Sequence, residues 1–400
     1  MKKILMIAAD FPPCLSAGVQ RTLHFAENLL NNGWQPLILT ANSRVYRRLD
    51  DGISVSNAIA KNVTRAFALD ASVHLAINGK YFDFLEDPDK IASWYHHGWR
   101  AGLSMIKQHK PDVIWSTYPV STAHRIALKL KQKTALPWIA DFRDPLHCHF
   151  DDQSKVRRKA KEIDIETLMQ ADHAVFSTKR IRAVYSRIYP SVEQSKLHVI
   201  ENGFDSELFH DVAQQEGARN ERFVLLYSGY LYDQGRNPEP LFQALGELKA
   251  EGYVNNNNFV LRFRGSGDGE LYRASIEQLG IGEIVEFLPS ISFRESVEEM
   301  FAADGLLVFQ GHIFDNQIPG KVYEYIASKK PILGFVGEAG ATAELLSTLP
   351  NAYSVPEFDI KSAVSALKQI MSNPGEALMD TSKYSRRSKA KELMDLLESI

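Results

Sequence analysis

The sequence predicts an α/β protein in which two Rossmann-like domains face one cleft. Short β-rich apolar runs alternate with longer amphipathic segments in the first half of the chain, which is typical of a parallel sheet wrapped by helices. The same alternation restarts after a polar stretch at residues 204–220. The length of 400 residues suits two domains of about 150 to 200 residues each. Because ligands bind outside the carboxyl ends of parallel strands, we expect the active site between the domains.

The first half predicts six strands from its apolar runs and four helices from the helical spacing of the apolar residues between them. The opening run is read as a strand because Asp10 and two prolines interrupt it before it reaches the length of a signal peptide or membrane span. The strands are expected at Lys3–Ala8, Gln35–Thr40, Val113–Ser116, Trp138–Asp141, His173–Ser177 and Leu197–Glu201. The helices are expected at Arg21–Asn31, Ala92–Gln108, Ser121–Gln132 and Arg158–Met169.

The second half predicts a similar unit after the polar stretch, which shows almost no periodicity and is interpreted as an interdomain linker. Its strands are expected at Phe223–Ser228, Val260–Gly265, Ile284–Phe287 and Gly305–Phe309, and its helices at Glu239–Ala250, Glu270–Leu279 and Phe293–Ala302. We therefore place the N-terminal domain at residues 1–205 and the C-terminal domain at residues 206–381. The helical segment of residues 382–400 has no strand after it, and we expect it to pack back on the N-terminal domain.

The composition is that of an ordinary soluble protein, with 44% hydrophobic and 24% charged residues. A formal net charge of −3 gives no attraction to nucleic acid, so no nucleic-acid partner is expected. The two cysteines, Cys14 and Cys148, lie far apart and suggest no disulfide framework, which favours a reducing, cytoplasmic location.

A segment with the anatomy of a nucleotide-diphosphate cradle lies at Ile318–Leu333, IPGKVYEYIASKKPIL. Pro319 and Gly320 predict a turn at which a helix begins, with its positive dipole end toward a ligand. Lys321 can neutralise a diphosphate, and Glu324, one turn further, can accept hydrogen bonds from ribose hydroxyls. The alternative is an ordinary surface helix whose lysine and glutamate are merely solvated.

Glycine turns follow several of the predicted strands. Gly229 follows the first strand of the second half, in YSGYLYDQGRN, and Arg236 stands just before the next helix, where it can reach a diphosphate. Gly265 and Gly267 follow the next strand and permit close backbone approach to a ligand. Gly18, in the first loop of the chain, resembles a phosphate turn, although that loop does not fit a dinucleotide fingerprint and so disfavours a redox cofactor.

The segment DFRDP places Asp141, Arg143 and Asp144 at the carboxyl end of a strand in the first domain. These residues can bind hydroxyls of an acceptor, or they can form a self-satisfied Asp–Arg–Asp turn. The nearby HCHFDD, residues 147–152, contains metal-ligand types but no spacing of a recognised zinc site, so no metal is expected.

Two further segments leave membrane contact open. The basic run Lys155–Lys161, KVRRKAK, can attract an anionic membrane surface or form a solvated helix face with compensating charge pairs. The aromatic WYHHGW at residues 94–99 can meet a lipid or pack on the sheet.

With these residues in place, the chain resembles the retaining glycosyltransferases of the GT-B fold, specifically glycosyltransferase family 4 of bacterial polysaccharide assembly. The resemblance spans nearly the full length, and its elements occur in the family's order. They are the first loop with its PP pair and Gly18, PDVIWSTYP, PWIADFRDP, ADHAVFST, VIENGFD, YSGYLY, FRGSGD, VEFLPSIS and the cradle.

The resemblance implies a metal-independent hexosyltransferase without a cofactor. It would move a sugar from a nucleotide-diphosphate sugar to a saccharide or lipid-linked acceptor in cell-surface polysaccharide biosynthesis, such as lipopolysaccharide or capsule. The N-terminal domain would bind the acceptor and the C-terminal domain the donor. The location would be cytoplasmic, with peripheral association at the inner face of the membrane.

The resemblance also assigns residue roles. Glu324 would be the second glutamate of the family's Glu-x7-Glu motif and would hold the donor ribose. The place of the first glutamate falls at Asn316, so Asn316 or Gln317 would hydrogen-bond the donor hexose. Tyr230 replaces the family's usual arginine, and the diphosphate-neutralising role is carried to Arg236.

Two other functions fit a similar fold. A nucleotide-sugar 2-epimerase would need acid/base carboxylates and histidines along the cleft, and the chain offers no clear set. A catalytically degenerate nucleotide-sugar-binding subunit is suggested by Asn316 and Tyr230.

Overall fold

The computed structural model describes residues 1–50, 52, 54–143, 155–214, 220–232 and 234–400, with the side chains of residues 17 and 155–158 excluded. The chain divides into two compact units. Unit 1 comprises Met1–Asn202 together with Arg386–Ile400, and unit 2 comprises Gly203–Ser385. The sequence analysis placed the two boundaries at 205/206 and 381/382, and the structure draws them at 202/203 and 385/386.

Unit 1 contains a parallel sheet with seven strands among its described residues. The strands are buried on both faces, which explains why they appear in the sequence as continuous apolar runs. In chain order they are β1 Lys2–Ile7, β2 Trp34–Ala41, β3 Val63–Ala66, β4 Val113–Thr117, β5 Trp138–Phe142, β6 His173–Phe176 and β7 Leu197–Val199. Their order in the sheet is β3-β2-β1-β4-β5-β6-β7.

The helices of unit 1 cover both faces of this sheet with two separate apolar clusters. They are α1 Ala17–Asn31, α2 Asn57–Ala60, α3 Ala71–His74, α4 Trp94–His109, α5 Ser121–Thr134, α6 Lys155–Gln170 and α7 Lys179–Ile188. Ser16 caps α1 by accepting a hydrogen bond from the Gly18 N–H.

Unit 2 repeats the arrangement with a six-stranded parallel sheet over the part of the chain that is described. Its elements are α8 Ser206–Ala213, β8 Phe223–Ser228, α9 Glu239–Ala250, β9 Phe259–Arg264, α10 Arg273–Gln278, β10 Val285–Leu288, α11 Phe293–Ala302, β11 Gly305–Gln310, α12 Gly320–Ser328, β12 Ile332–Val336, α13 Ala341–Leu346, β13 Ala352–Pro356 and α14 Ile360–Ser372. The order in the sheet is β10-β9-β8-β11-β12-β13.

The predicted fold class of two parallel-sheet, Rossmann-like α/β units is confirmed. All the predicted strands are present, with bounds that differ by at most two residues. The predicted helix at Glu270–Leu279 is a 3₁₀ turn at Glu270–Tyr272 followed by α10. The sequence analysis did not predict the strands β3 and β13 or the helices α2, α3, α7, α13 and α14.

The last helix of the chain, α15 at Arg386–Glu398, packs within unit 1 against α1, as the sequence predicted. Its buried face carries Ala390, Leu393 and Leu397, which join the apolar cluster on one side of the unit 1 sheet. Lys389 forms an ion pair of 3.2 Å with Glu201 at the same contact.

The prediction of a linker without regular structure at residues 204–220 is wrong for its first part, because α8 occupies Ser206–Ala213. Asp205 caps this helix by accepting hydrogen bonds from the N–H groups of Glu207 and Leu208. Phe209 and Val212, three residues apart on one face, are buried in unit 2. Residues 215–219 lie outside the described part of the chain.

No helix in the described residues is both long and apolar enough to cross a membrane.

Candidate functional site

The strand order of unit 2 reverses between β8 and β11, which are neighbours in the sheet although five helices and strands separate them in the chain. Ligands of open parallel sheets bind outside the carboxyl ends of the strands at such a switch point. Gly229 follows β8 at this edge, and the loop after β11 leads to α12 at the same edge. The residues predicted to bind the donor therefore lie at the expected place in unit 2.

Residue 229 must be a glycine for two reasons, its backbone conformation and the closeness of the Lys321 side chain. Its φ is +127°, which side chains rarely permit, and its N–H donates a 2.8 Å hydrogen bond to the Arg264 carbonyl. A Cβ atom at Gly229 would lie 2.8 Å from the Nζ atom of Lys321. The glycine therefore provides the space in which the lysine amine lies.

Lys321, on the first turn of α12, buries its amine at the switch point. The amine has no hydrogen-bond partner among the described residues, and it lies 4.0 Å from the ring centroid of Tyr227. Burial and, second, the charge of Arg236 lower the pKa of Lys321 to about 7, against the opposing effect of Glu324. No anion is hydrogen-bonded to this amine among the described residues.

Arg236 provides the second positive charge near this amine. Its guanidinium carbon lies 4.4 Å from the ring centroid of Tyr232, and Nη1 donates a 3.2 Å hydrogen bond to the Tyr230 carbonyl. The Tyr227 hydroxyl donates to the same carbonyl at 2.9 Å. Burial raises the pKa of Tyr227 to about 12, so this hydroxyl stays protonated and remains a donor. The backbone of residue 230 thus positions Arg236.

The N-terminus of α12 supplies the helix end that the sequence predicted. Pro319 is the N-cap residue, and the helix begins at Gly320 and runs for nine residues. Gly320 is exposed and a Cβ there would have nothing within 4 Å, while the Val322 N–H already donates to the Pro319 carbonyl at 3.0 Å. The first N–H groups of α12 can therefore meet an anion.

Gly265 and Gly267 form a second turn beside the first. Both have positive φ, +72° and +90°. The Ser266 hydroxyl donates a 2.7 Å hydrogen bond to the Gly229 carbonyl and so joins the turns that follow β9 and β8. The Gly265 N–H is used by the Leu288 carbonyl at 2.9 Å. The N–H groups of Gly229 and Gly265 are thus already hydrogen-bonded within the chain. These turns permit a ligand to approach the backbone closely because they lack side chains.

Asn316 and Gln317 lie on the loop between a 3₁₀ turn, His312–Phe314, and α12. The backbone fixes this loop, because the Gln317 N–H donates to the Phe314 carbonyl at 2.9 Å and its carbonyl accepts from the Thr342 hydroxyl at 3.0 Å. Glu324 is half-buried one turn along α12 from Lys321. The structure thus brings together the predicted residues of unit 2 at one sheet edge.

In unit 1, the carboxylate of Asp141 belongs to a buried ion pair that the sequence analysis missed. It accepts hydrogen bonds of 2.8 and 2.9 Å from Nε and Nη2 of Arg21 and one of 2.9 Å from the Thr117 hydroxyl. Arg21 also donates to the carbonyls of Ile200 and Glu201. Asp141 therefore has its bonds within the protein, and its predicted acceptor role gains no support from this geometry.

Gly18 lies at the start of α1, between an acid and a base. A Cβ there would be 2.7 Å from Oδ2 of Asp10 and 3.3 Å from Nη1 of Arg143. The Ser16 hydroxyl donates a 2.6 Å hydrogen bond to the same Asp10 oxygen. The carboxylate of Asp10 thus lies where the sequence suggested a phosphate turn. Asp144, the third predicted acceptor residue, lies outside the described residues.

The residues that the structure describes contain no cluster of three or more histidine, cysteine, aspartate or glutamate side chains that could hold a metal ion. The HCHFDD segment considered in the sequence lies outside them.

The chain matches no family model and no curated protein. Solved structures do resemble it. Sucrose-phosphate synthase from Thermosynechococcus elongatus aligns with a TM-score of 0.70 and 15% identity, over 100% of this chain and 99% of that one. Anabaena HepE in complex with UDP aligns at 0.63 and 14%, over 100% of both chains. UDP-GlcNAc 2-epimerase from Methanocaldococcus jannaschii aligns at 0.60 and 10%, over 100% of both. The chain shares the GT-B fold, as predicted.

Proposed function

We propose that this protein is a retaining glycosyltransferase of the family 4 type that uses a nucleotide-diphosphate sugar as donor. The observation that carries the proposal is the unpartnered, buried amine of Lys321 beside Gly229 and near Arg236, at the switch point of unit 2. Two cations and a helix N-terminus at one sheet edge suit a diphosphate. The resemblance to HepE, whose structure contains UDP, supports a uridine nucleotide.

In this proposal, Lys321, Arg236 and the first N–H groups of α12 hold the diphosphate. Negative charge grows on the leaving phosphate as the glycosidic bond breaks, and these groups are already in place to stabilise it. A metal ion and a cofactor are then unnecessary. Glu324 would accept hydrogen bonds from the ribose hydroxyls.

Asn316 and Gln317 would hydrogen-bond the hexose, because their loop lies directly before α12. The acceptor hydroxyl would attack the anomeric carbon on the face from which the diphosphate leaves and would give its proton to the leaving phosphate oxygen, so the anomeric configuration is retained. A product with inverted configuration, seen by proton NMR, would contradict this step.

The experiment is a thermal-shift panel with UDP, GDP, ADP and dTDP sugars, because a ligand of the folded state raises the melting temperature. We expect one nucleotide to give a clear shift, Lys321→Met to make that shift smaller, and the exposed matched control Lys361→Met to preserve it. No shift with any nucleotide would contradict the donor site.

A nucleotide-sugar 2-epimerase is the second candidate, favoured by the structural likeness to UDP-GlcNAc 2-epimerase. Incubation of the protein with UDP-GlcNAc alone, followed by NMR, separates the two. Appearance of the 2-epimer without any acceptor would favour the epimerase. Nucleotide binding without turnover in the presence of acceptors would favour the degenerate binding subunit.

We also propose that the protein works at the cytoplasmic face of a membrane on a saccharide or lipid-linked acceptor of surface polysaccharide assembly. The aromatic segment at residues 94–99 does not carry this proposal, because Trp94 is fully buried. Support comes instead from Ile77, Phe82 and Phe84, which are 80%, 71% and 64% exposed. Replacing all three with serine should abolish sedimentation with phosphatidylglycerol vesicles, and unchanged sedimentation would contradict the proposal.

A further inference from the structure

Gln310, the last residue of β11, carries a buried amide group at the carboxyl edge of the unit 2 sheet. Only 3% of the residue is exposed, and its Oε1 atom has no hydrogen-bond partner among the described residues. A buried polar atom without a hydrogen bond destabilises the folded chain, and such atoms are rare in proteins. The end of β11 thus holds an acceptor that the N–H or O–H group of a bound molecule can satisfy.

The position of this amide is at the site already described. β11 lies next to β8 where the strand order reverses, and the amine of Lys321 lies against Gly229, the residue that follows β8. From Gln310 the chain passes through a 3₁₀ turn to Asn316, one of the residues proposed above to bind the donor hexose. Gln310 is therefore in the strand beside the proposed diphosphate position, at the start of the loop assigned to the hexose.

Backbone hydrogen bonds hold the end of β11 from both sides. The Gln310 carbonyl accepts a 3.2 Å hydrogen bond from the Gly337 N–H, in the loop after β12. The next N–H along the chain, that of Gly311, donates to the Gly235 carbonyl at 2.8 Å, in the loop after β8. The amide is therefore attached to a backbone that is fixed before a ligand arrives.

The surroundings of the amide are apolar. Side chains alternate along a strand, so Gln310 shares a face of the sheet with Leu306 and Val308, which belong to the apolar cluster on the α12 side. Its register partner on β12 is Val336, which is 2% exposed and belongs to the same cluster. Ile318, just before α12, joins this cluster as well. Gln310 therefore ends an apolar row with one polar group.

The chemistry of a primary amide restricts the ligand group that it can recognise. The amide offers one carbonyl acceptor and an N–H donor side by side. An acetamido group offers the matching N–H and C=O, and its methyl group needs apolar surface. A phosphate or carboxylate offers acceptors alone and would leave Oε1 without a partner, and a sugar hydroxyl has no apolar part. The combination of a buried amide and apolar neighbours therefore suits an acetamido group.

We propose that Gln310 recognises the acetamido group of the donor, so that the transferred sugar is a 2-acetamido-2-deoxyhexose. The proposal rests on the proposed function above and gives its donor hexose a chemical class. Oε1 accepts a hydrogen bond from the acetamido N–H, Nε2 donates one to the acetamido carbonyl, and the methyl group packs on the side of Val336. Gln310 determines specificity, and no bond is made or broken at its side chain.

The test is isothermal titration calorimetry on the full chain with UDP and with two pairs of sugar nucleotides. UDP-GlcNAc is paired with UDP-glucose, and UDP-N-acetylgalactosamine with UDP-galactose. In at least one pair, we expect the wild type to bind the acetamido sugar about tenfold more tightly, as two neutral hydrogen bonds permit. Gln310→Met keeps the length and apolar surface of the side chain but lacks the amide, and it should reduce this ratio below threefold.

Two controls accompany the variant. The affinity for UDP itself should change less than twofold in Gln310→Met, because UDP has no acetamido group. Gln369→Met, at an exposed position of α14, should leave both the UDP affinity and the ratio unchanged. The melting temperature of ligand-free Gln310→Met should rise by about 2 to 4 °C, because the variant no longer buries an unpartnered amide. An unchanged or lower melting temperature would mean that the amide is already satisfied in the free chain, and would overturn the proposal.

The UDP affinity and the ratio within each pair separate this proposal from the proposed function. UDP binding with equal affinities in both pairs, or with a ratio that Gln310→Met preserves, overturns the acetamido proposal and keeps the donor site. A large loss of UDP affinity in Gln310→Met also overturns it, because the residue then supports the nucleotide site as a whole. A wild type that binds none of the five ligands overturns the uridine-nucleotide donor and the acetamido proposal together.

Discussion

Binding of UDP should make the protein take up a proton, because the buried amine of Lys321 is mostly neutral above pH 7 and becomes protonated beside an anion. Its pKa is lowered from 10.5 to about 7 by burial first and by Arg236 second. A diphosphate beside the amine favours the charged form and returns the pKa toward its ordinary value. At pH 8 the free amine is about one-tenth protonated and the bound amine almost fully, so uptake should be about 0.9 proton.

The affinity should follow the same linkage. Above pH 7 the amine must first be protonated, so the dissociation constant should rise about tenfold per pH unit. Between pH 7, where half the amine is already charged, and pH 9, UDP binding should weaken about 50-fold. The Tyr227 hydroxyl does not enter this window, because its pKa is about 12.

Isothermal titration calorimetry at pH 8 in Tris and in HEPES measures the proton uptake, because the two buffers differ in ionisation enthalpy. Lys321→Met is the control that isolates the amine from the ionisation of the nucleotide itself. The reasoning is refuted if the wild type and this variant take up the same number of protons, or if the wild-type affinity is constant from pH 7 to 9.

Three stability predictions follow from the same geometry. Lys321→Met should raise the free energy of unfolding by about 2 to 5 kcal/mol at pH 6, where the folded chain buries a charged amine. At pH 11 the amine is neutral in both states, and the gain should be almost nothing. Equal gains at both pH values in urea unfolding would contradict this. Arg21→Ala should cost about 3 to 5 kcal/mol by leaving the buried Asp141 unpaired, and Asp141→Asn added to it should recover part of that loss in urea unfolding; no recovery would mean that the ion pair is not the cause. Burial lowers the pKa of His124 to about 3, below its ordinary 6.5. The free energy of unfolding of the wild type should therefore fall by about 2 to 3 kcal/mol from pH 6.5 to pH 4.5, and that of His124→Phe should not show this fall. Parallel pH profiles of the two proteins would refute the prediction.

The alternation of apolar runs was sufficient to predict the fold because parallel strands buried on both faces leave a strong signal. The short elements left none. β3 has four residues with partial burial, and α8 buries only Phe209 and Val212, with Leu208 half-buried beside them, within a polar stretch. Both are held by packing against neighbours that are distant in sequence.

The residues of the candidate site likewise fall into those that the sequence predicted and those that it did not. The glycine turns and the cradle were visible because each is a local motif at a strand end. The ion pair of Arg21 and Asp141 was not visible, because it joins the second turn of α1 to the end of β5 across 120 residues. No local pattern distinguishes a carboxylate that faces a ligand from one that meets an arginine of another element.

The resemblance to family 4 glycosyltransferases sets Tyr230 where those enzymes usually have an arginine, and unit 2 provides another cation close by. The carbonyl of Tyr230 anchors Arg236, and the Tyr227 hydroxyl donates to the same carbonyl. The cation is thus supplied six residues later and is held by the backbone of the replaced position. Lys321 supplies a second cation from α12 across the missing side chain of Gly229. Because Arg236 lowers the pKa of Lys321, the two cations destabilise each other until an anion lies between them. The substitution at residue 230 therefore does not argue for a degenerate site.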